Sequence, residues 1–112
     1  MGLTPLIAVA APPTAQAEIA HLFDYLSGSA CQFNRNGTWY SGKEAVEHLK
    51  KKYSYLDDRG AITSTEQFIE LGASRSSVSG KPYMVRCPST EPVVSAVWLK
   101  SELARYRKAM GK

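Results

Sequence analysis

The chain has 112 residues, of which 44% are hydrophobic, and its formal net charge is +4. This length fits one domain with a core of its own, and no apolar run approaches the ~18 residues that a membrane-spanning helix needs. The charge excess is moderate and basic residues alternate with acidic ones, so the sequence predicts a protein that neither spans a membrane nor binds nucleic acid.

The first 17 residues carry no charged side chain. They end in Ala15-Gln16-Ala17, a small-x-small pattern typical of a signal-peptidase site, and cleavage there would make Glu18 the first mature residue. A basic start and a full apolar segment of roughly 7–15 residues are missing. We therefore predict that residues 1–17 are a signal-peptide remnant or a disordered leader, and that residues 18–112 form a single α+β domain.

Four segments have the patterns of helices. Apolar residues at helical spacing predict a first helix over about residues 17–27. Ser41 and Glu44 have the spacing of a capping box and open a second helix. Thr63 and Ser64 are predicted to open a third helix, because Thr63 with Glu66 and Ser64 with Gln67 both have capping-box spacing. Ser95 is the predicted N-cap of the last helix.

Two strand-like runs each carry a cysteine at one end. One run begins at Cys31 and the other ends at Cys87. If the runs pair in antiparallel fashion, the two cysteines lie opposite each other, and so do Arg35 and Tyr83. A disulfide closing this loop of about 56 residues would stabilise the fold by ~4 kcal/mol and would suit an oxidising compartment.

A β-hairpin is predicted around Asn36-Gly37, because both residues tolerate positive φ and lie between two β-prone runs. The hairpin (31–40) and the strand 82–87 would form a small antiparallel sheet on which about four helices pack. The fold class is therefore predicted to be α+β. In the second arm of the hairpin, Trp39 and Tyr40 would point to opposite faces, which leaves one of them for the surface.

No catalytic, metal-binding or cofactor-binding motif is recognisable. Gly80-Lys81 is similar to the end of a phosphate-binding loop, but Pro82 replaces the required Ser or Thr. The chain has no Gly-x-Ser-x-Gly motif, and two histidines with two paired cysteines are not a plausible zinc site. We therefore assign no catalytic residue, metal or cofactor, and we regard an enzyme as the less favoured interpretation.

The polar segment 74–81, here called the serine loop, is explained by no core pattern. Its hydroxyl and cationic groups suit an anion, a carboxylate or a sugar, and the predicted pairing would place Lys81 near Arg35. Alternatively, the serines bond their own backbone and only form turns. The candidate binding residues are Arg35, Trp39, Tyr40, Ser74, Arg75, Ser76, Ser77, Ser79 and Lys81.

Several short motifs together resemble a known family. They are Arg35-Asn36-Gly37, Glu44-Ala45 with His48-Leu49, Thr65-Glu66-Gln67-Phe68-Ile69, Ala73-Ser74 and Ser79-Gly80-Lys81-Pro82-Tyr83. Over about residues 18–107 this set resembles the YfeK-like family of small exported bacterial proteins, which has no assigned function. The resemblance implies a location in the periplasm or envelope of a Gram-negative bacterium, and it implies no catalytic role.

Two functional hypotheses follow from the sequence. In the first, the protein is a non-catalytic periplasmic binding module that uses the serine loop to hold an envelope protein or an anionic or sugar ligand. In the second, it is an envelope enzyme or enzyme inhibitor that acts on cell-wall material. A deep cleft with a shifted pKa would favour the enzyme, and a shallow basic patch would favour binding. No sequence pattern defines the oligomeric state.

Overall fold

The computed structural model describes residues 9–112 and contains, within them, four α-helices and four short β-strands. In chain order they are α1 (Pro13–Gly28), β1 (Gln32–Arg35), β2 (Thr38–Ser41), α2 (Gly42–Asp58), α3 (Thr65–Gly72), β3 (Met84–Arg86), β4 (Val93–Val94) and α4 (Ser95–Ala109). The strands form one antiparallel sheet in the order β2-β1-β3-β4. The predicted α+β fold is confirmed, and β4 is an addition that the sequence did not indicate. None of these helices is both long enough and apolar enough to cross a membrane.

The register between β1 and β3 is the predicted one. Gln32 pairs with Arg86, and one residue further out a disulfide joins Cys31 to Cys87. Continued in the other direction, the same register places Arg35 opposite Tyr83. The covalent bond therefore lies at one end of the strand pair, and two side chains with polar ends lie at the other.

The hairpin between β1 and β2 turns at the predicted residues. Asn36 has a φ of 53° and Gly37 a φ of 86°, so both adopt the left-handed conformation that such a tight turn requires. The side chain of Asn34 accepts a hydrogen bond from the Gly37 amide at 3.1 Å. The predicted hairpin is confirmed.

The junction between α1 and α2 depends on a capping box and a glycine. The Ser41 side chain accepts from the Glu44 amide, and the Glu44 side chain accepts from the Ser41 amide, as predicted. At Gly42, an added Cβ would lie 2.1 Å from the carbonyl oxygen of Leu26. Only glycine lets α2 begin this close to the end of α1.

Helix α1 begins at Pro13, about one turn before the predicted start, so that prediction was wrong. Ala15 is only 4% exposed because it packs into the core, and the Ala11 amide donates to the Asp57 carboxylate at 2.8 Å. The predicted leader (1–17) falls partly on residues 1–8, which lie outside the described residues. Its cleavage after Ala17 stays a prediction.

One face of the sheet packs on the helices. Side chains alternate between faces along each strand, and Phe33, Tyr83 and Val85 are each 1% exposed on the inner face. Trp39 belongs to the opposite, outer face, where the Arg86 guanidinium lies 3.9 Å from its ring centroid. The largest fully buried side chains of the helices are Ile19, Leu22, Leu26, Leu49, Phe68 and Ile69.

The start of α4 differs from the prediction. Its N-cap is Val94, and Ser95 is the first helical residue. The Ser95 amide donates to the Tyr83 carbonyl at 2.8 Å, so β4 pairing places this residue inside the fold instead of at a cap. Its buried hydroxyl has no hydrogen-bond partner among the described residues.

A buried ion network joins α1, α3 and α4. Glu18 is 2% exposed and accepts from Arg107 at 2.8 and 2.9 Å and from Thr65 at 2.6 Å. Arg107 also donates to Glu66 at 2.7 Å. The hydrogen bonds from Arg107 lower the pKa of Glu18 to about 2.

Candidate functional site

A small pocket lies where β1, α2 and the serine loop meet. Its volume is about 240 Å³. The tight turn brings Arg35 and Asn36 to it, and α2 contributes two residues one helical turn apart. We call it the donor pocket; its lining residues are Arg35, Asn36, His48, Lys52, Ser76, Ser77, Val78 and Tyr83.

The α2 side of the donor pocket is formed by His48 and Lys52. Residues four apart in an α-helix lie on the same face, so both side chains reach the pocket. The adjacent residue Leu49 is 1% exposed and fixes this face of α2 against the core. The sequence therefore places two basic groups beside the buried stripe of the helix.

Two nitrogens converge on the hydroxyl oxygen of Tyr83. Lys52 Nζ lies 3.0 Å from it and His48 Nε2 lies 3.2 Å from it. Lys52 Nζ also donates to the Arg75 carbonyl at 3.0 Å. Tyr83 is 1% exposed, so this oxygen belongs to the buried wall of the pocket.

The protonation of His48 follows from its partners. Nη1 of Arg35 lies 3.0 Å from His48 Nδ1 and 3.4 Å from Nε2. A guanidinium group can only donate, so Nδ1 is assigned as the unprotonated acceptor and Nε2–H as the donor to Tyr83. The Tyr83 oxygen then accepts two hydrogen bonds, and its own proton finds no acceptor among residues 9–112.

The local charge is positive and partly buried. Burial, and then the charges of Arg35 and Lys52, lower the pKa of His48. Burial, and then Arg35, lower the pKa of Lys52, and burial raises the pKa of Tyr83. In the described part of the chain no carboxylate pairs with Arg35 or Lys52. The donor pocket thus presents several donors and lacks an anionic acceptor.

A smaller cavity of about 140 Å³ shares Arg35 and His48 with the donor pocket. Tyr40, Glu44 and Glu47 are among its lining residues. The Arg35 guanidinium lies 5.3 Å from the Tyr40 ring centroid, so this ring also contacts the arginine. Tyr40 therefore lies on the face of the hairpin that carries Arg35, and Trp39 lies on the opposite one.

The serine loop is folded largely on itself. The Ser76 hydroxyl accepts from the amides of Val78 and Ser79, both at 3.2 Å. The Ser76 amide donates to the Lys81 carbonyl at 2.9 Å, and the Gly80 amide donates to the Ser76 carbonyl at 2.9 Å. Ser76 is 4% exposed. Its bonds make it the organising residue of the loop.

The other serines differ in their partners. Ser74 donates to the Ile69 carbonyl at 2.7 Å, and Ser79 donates to the side chain of Asn36 at 2.5 Å, which joins the loop to the hairpin turn. Ser77 is exposed and has no hydrogen-bond partner within the described range. Its hydroxyl is therefore the serine group that is free to bind a ligand in the pocket.

The remaining predicted site residues lie outside the donor pocket. Arg75 and Lys81 are exposed and do not belong to its lining. Arg75 contributes its carbonyl, which accepts from Lys52. The carbonyl and amide of Lys81 bond to Ser76 and Ser79 at 2.9 and 3.2 Å. The loop thus holds the pocket in shape with its backbone, and most of the positive charge comes from α2 and β1.

A profile of a family of unknown function, DUF5329, matches residues 13–107. The chain belongs to this family. The uncharacterized protein YfeK of Salmonella typhimurium is 47% identical over 51 residues, a stretch that covers 46% of this chain and 41% of YfeK. The predicted resemblance to YfeK-like proteins is confirmed. No solved structure matches the chain.

In this DUF5329 protein, the sequence-based site lacked five lining residues of the donor pocket, Asn36, His48, Lys52, Val78 and Tyr83. Three of them, His48, Lys52 and Tyr83, form its hydrogen-bonded cluster. A signal for them existed. His48 and Lys52 share one face of α2, and the predicted strand register already placed Tyr83 opposite Arg35. What the sequence could not supply was the packing of α2 on the sheet, which brings the two pairs together.

Proposed function

We propose that this protein binds an anionic ligand in the donor pocket and holds it without transforming it. The observation that carries the proposal is the convergence of Lys52 Nζ and His48 Nε2 on the Tyr83 hydroxyl oxygen, at 3.0 and 3.2 Å. With the His48 tautomer assigned above, this oxygen accepts from both nitrogens and its own proton is left for a further acceptor. A ligand oxygen in the pocket would accept that proton and would lie close to the charges of Lys52 and Arg35.

The chemistry of the pocket favours an anion over a neutral ligand. Hydrogen bonds to an ionised acceptor are roughly twice as strong as neutral ones. In a partly buried site an unpaired positive group also gains more from an opposite charge than it would in water. The pocket volume of about 240 Å³ fits a small acidic group, such as a phosphate or a carboxylate, and not a large ligand.

The pKa shifts of His48, Lys52 and Tyr83 are one feature expected of an enzyme. The bonding of His48 nevertheless supports a binding role over a catalytic one. Its partners in the described part of the chain are the guanidinium of Arg35 and the hydroxyl of Tyr83. A general base is usually oriented by a carboxylate or carbonyl that stabilises its protonated form, whereas Arg35 stabilises the neutral form of His48. An enzyme acting on cell-wall material stays the alternative, and turnover of such material would overturn our proposal.

The periplasm is the location that we propose for this function. The disulfide between Cys31 and Cys87 supports an oxidising compartment. The small-x-small pattern ending at Ala17 and the resemblance to exported YfeK-like proteins support export. Detection of the protein in a periplasmic fraction of its host would test this location directly.

The binding proposal is tested by calorimetric titration with inorganic phosphate. We compare wild type with Lys52→Met and use Lys50→Met as the matched control, because Lys50 lies on the same helix, is exposed and does not line the pocket. Loss of a hydrogen bond to a charged group should weaken binding roughly tenfold in Lys52→Met. Lys50→Met should stay within about twofold. Equal affinities in the two variants, or no binding by wild type, would disprove the proposal.

A further inference from the structure

An apolar groove lies directly beside the donor pocket. It has a volume of about 370 Å³ and is lined by Lys51, Lys52, Tyr55, Leu56, Leu71 and Ser77. Two of these residues, Lys52 and Ser77, also line the donor pocket. The two cavities are therefore neighbours that share part of their lining.

The groove leaves large apolar side chains open to water. Tyr55 is 57% exposed and Leu71 is 47% exposed, and Leu56 between them is half-buried. The Arg59 guanidinium lies 3.5 Å from the Tyr55 ring centroid, which restrains this ring at the groove. Contiguous exposed apolar surface is characteristic of binding sites.

The charges around the groove determine what can cover it. Lys51 and Lys52 lie at its edge, and the donor pocket beyond adds Arg35. In the described structure no carboxylate lines either cavity. The combined surface thus concentrates hydrogen-bond donors in the pocket and apolar side chains in the groove, where Lys51 and Arg59 add positive charge. It is complementary to a molecule with an acidic head and a hydrocarbon tail.

The backbone around the groove favours a hydrocarbon over a peptide. Lys51, Lys52, Tyr55 and Leu56 all belong to α2, so their amide groups are engaged in the helix. An extended peptide in this groove would find few backbone donors for its carbonyl groups, whereas a hydrocarbon chain needs none.

We propose that the ligand is a single-chain amphipathic anion. Its acidic head lies in the donor pocket and its tail lies along Tyr55, Leu56 and Leu71. This inference rests on the proposed function, because the head occupies the site proposed there.

The test separates head from tail with three probes below their aggregation concentrations. Methyl phosphate carries the head alone, octyl phosphate carries head and tail, and octyl glucoside carries the tail on a neutral head. Burial of only two methylene groups would tighten binding by roughly tenfold. We therefore expect octyl phosphate to bind at least ~10-fold more tightly than methyl phosphate, and octyl glucoside to bind far more weakly.

Two groove variants localise the tail. Leu71→Ser and Tyr55→Ser should each remove most of the gain from the octyl chain and leave the affinity for methyl phosphate unchanged. Val97→Ser is the matched control, because Val97 is 56% exposed on α4 and lines neither cavity. It should bind like wild type.

Each failure has a distinct meaning. Equal binding of methyl and octyl phosphate would overturn the amphipathic ligand and leave the anion-binding function intact. Octyl glucoside binding as tightly as octyl phosphate, or a peptide with a C-terminal leucine binding more tightly than octyl phosphate, would overturn it as well. If neither phosphate binds, the proposed function itself fails.

Discussion

Lys52 contacts both the hydroxyl group and the aromatic ring of Tyr83. Its ammonium nitrogen lies 3.0 Å from the hydroxyl oxygen and 4.9 Å from the ring centroid. A charge on α2 is thereby held against the residue that precedes β3, and the positions of the helix and the sheet are fixed relative to each other at the donor pocket.

Tyr83→Phe should impair both stability and binding. The substitution removes the shared acceptor of Lys52 and His48, so we expect a loss of about 1 kcal/mol in the free energy of unfolding, measured in urea. It also removes the donor offered to the ligand, and phosphate affinity should fall by roughly tenfold. Tyr25→Phe, at an exposed tyrosine that does not line the pocket, should change neither stability nor phosphate affinity. A Tyr83→Phe protein with wild-type phosphate affinity would contradict the assigned hydrogen bonds.

Anion binding should tighten as the pH falls because of His48. The pKa of His48 in the free protein is lowered, so the imidazole is neutral at pH 7, and a bound anion would raise that pKa and draw in a proton. Sulfate is the suitable probe, because it does not titrate in this range. Its affinity should rise from pH 7 to pH 5.5, and His48→Gln should flatten the rise while His21→Gln preserves it. If the sulfate affinity of His48→Gln rose with falling pH as steeply as that of wild type, protonation of His48 would not be the cause.

Two neighbouring serines should affect different properties when changed to alanine, Ser76 the stability and Ser77 the phosphate affinity. Ser76→Ala should lower the free energy of unfolding by about 1 kcal/mol, because the buried hydroxyl that accepts two loop amides is lost. Ser77→Ala should change stability by less than ~0.5 kcal/mol and should weaken phosphate binding. Urea unfolding and calorimetry measure the two effects, and Arg75→Ala serves as the control outside the pocket. A loss of stability in Ser77→Ala and a loss of phosphate binding in Ser76→Ala would contradict the hydrogen bonds assigned to the serine loop.

The network of Glu18 should make stability depend on pH at the acid end. Its pKa is about 2 in the folded protein and near 4.5 when unfolded, so its stabilising effect is complete above pH 4.5. It is lost as the pH falls from about 4.5 to about 2. Arg107→Met leaves the buried carboxylate without its partner and should cost about 3 kcal/mol at pH 7. Glu66→Gln, at the exposed end of the network, should cost far less.

Urea unfolding over this pH range tests the assignment. The difference in stability between wild type and Arg107→Met should narrow as Glu18 becomes protonated. A difference that stays constant down to pH 2 would show that Arg107 acts through packing and not through the charge of Glu18.

Removal of the disulfide should cost much of the stability. Its cysteines are 56 residues apart, and a loop of that size corresponds to ~4 kcal/mol in the chain-entropy model. Cys31→Ser with Cys87→Ser should lower the free energy of unfolding by about this amount, and wild type under reducing conditions should show the same loss. Equal free energies of unfolding for the oxidised and reduced proteins would contradict this stabilising role of the disulfide.

Much of the fold could be predicted from local signals. Ser41 with Glu44 and Asn36 with Gly37 have conformational preferences that act within four residues. The positions of Cys31 and Cys87 at the ends of two strand-like runs predicted the pairing of β1 with β3. The start of α1 and strand β4 were missed. Pro13 at the first helical position is a helix-start signal, but the segment 1–17 was assigned to a leader because it is uncharged and ends in a small-x-small pattern. Val93 and Val94 become a strand only because Met84 and Val85 lie beside them.

The candidate site was predictable only in part. Arg35 and the serine loop could be selected because polar residues without a core pattern need an explanation. Lys52 and His48 had an adequate local explanation as the polar flank of an amphipathic helix. Their convergence on Tyr83 depends on how α2 packs across the sheet, which no local pattern encodes.

The disulfide has a consequence for the other end of its strand pair. Cys31 and Cys87 are held together covalently, and three paired residues further along, the same two strands bring Arg35 and Tyr83 to the donor pocket. The spacing of these two side chains is thus fixed by the backbone before any ligand arrives. A preorganised pocket of this kind loses little conformational entropy on binding, so a small anion with few contacts can be retained there.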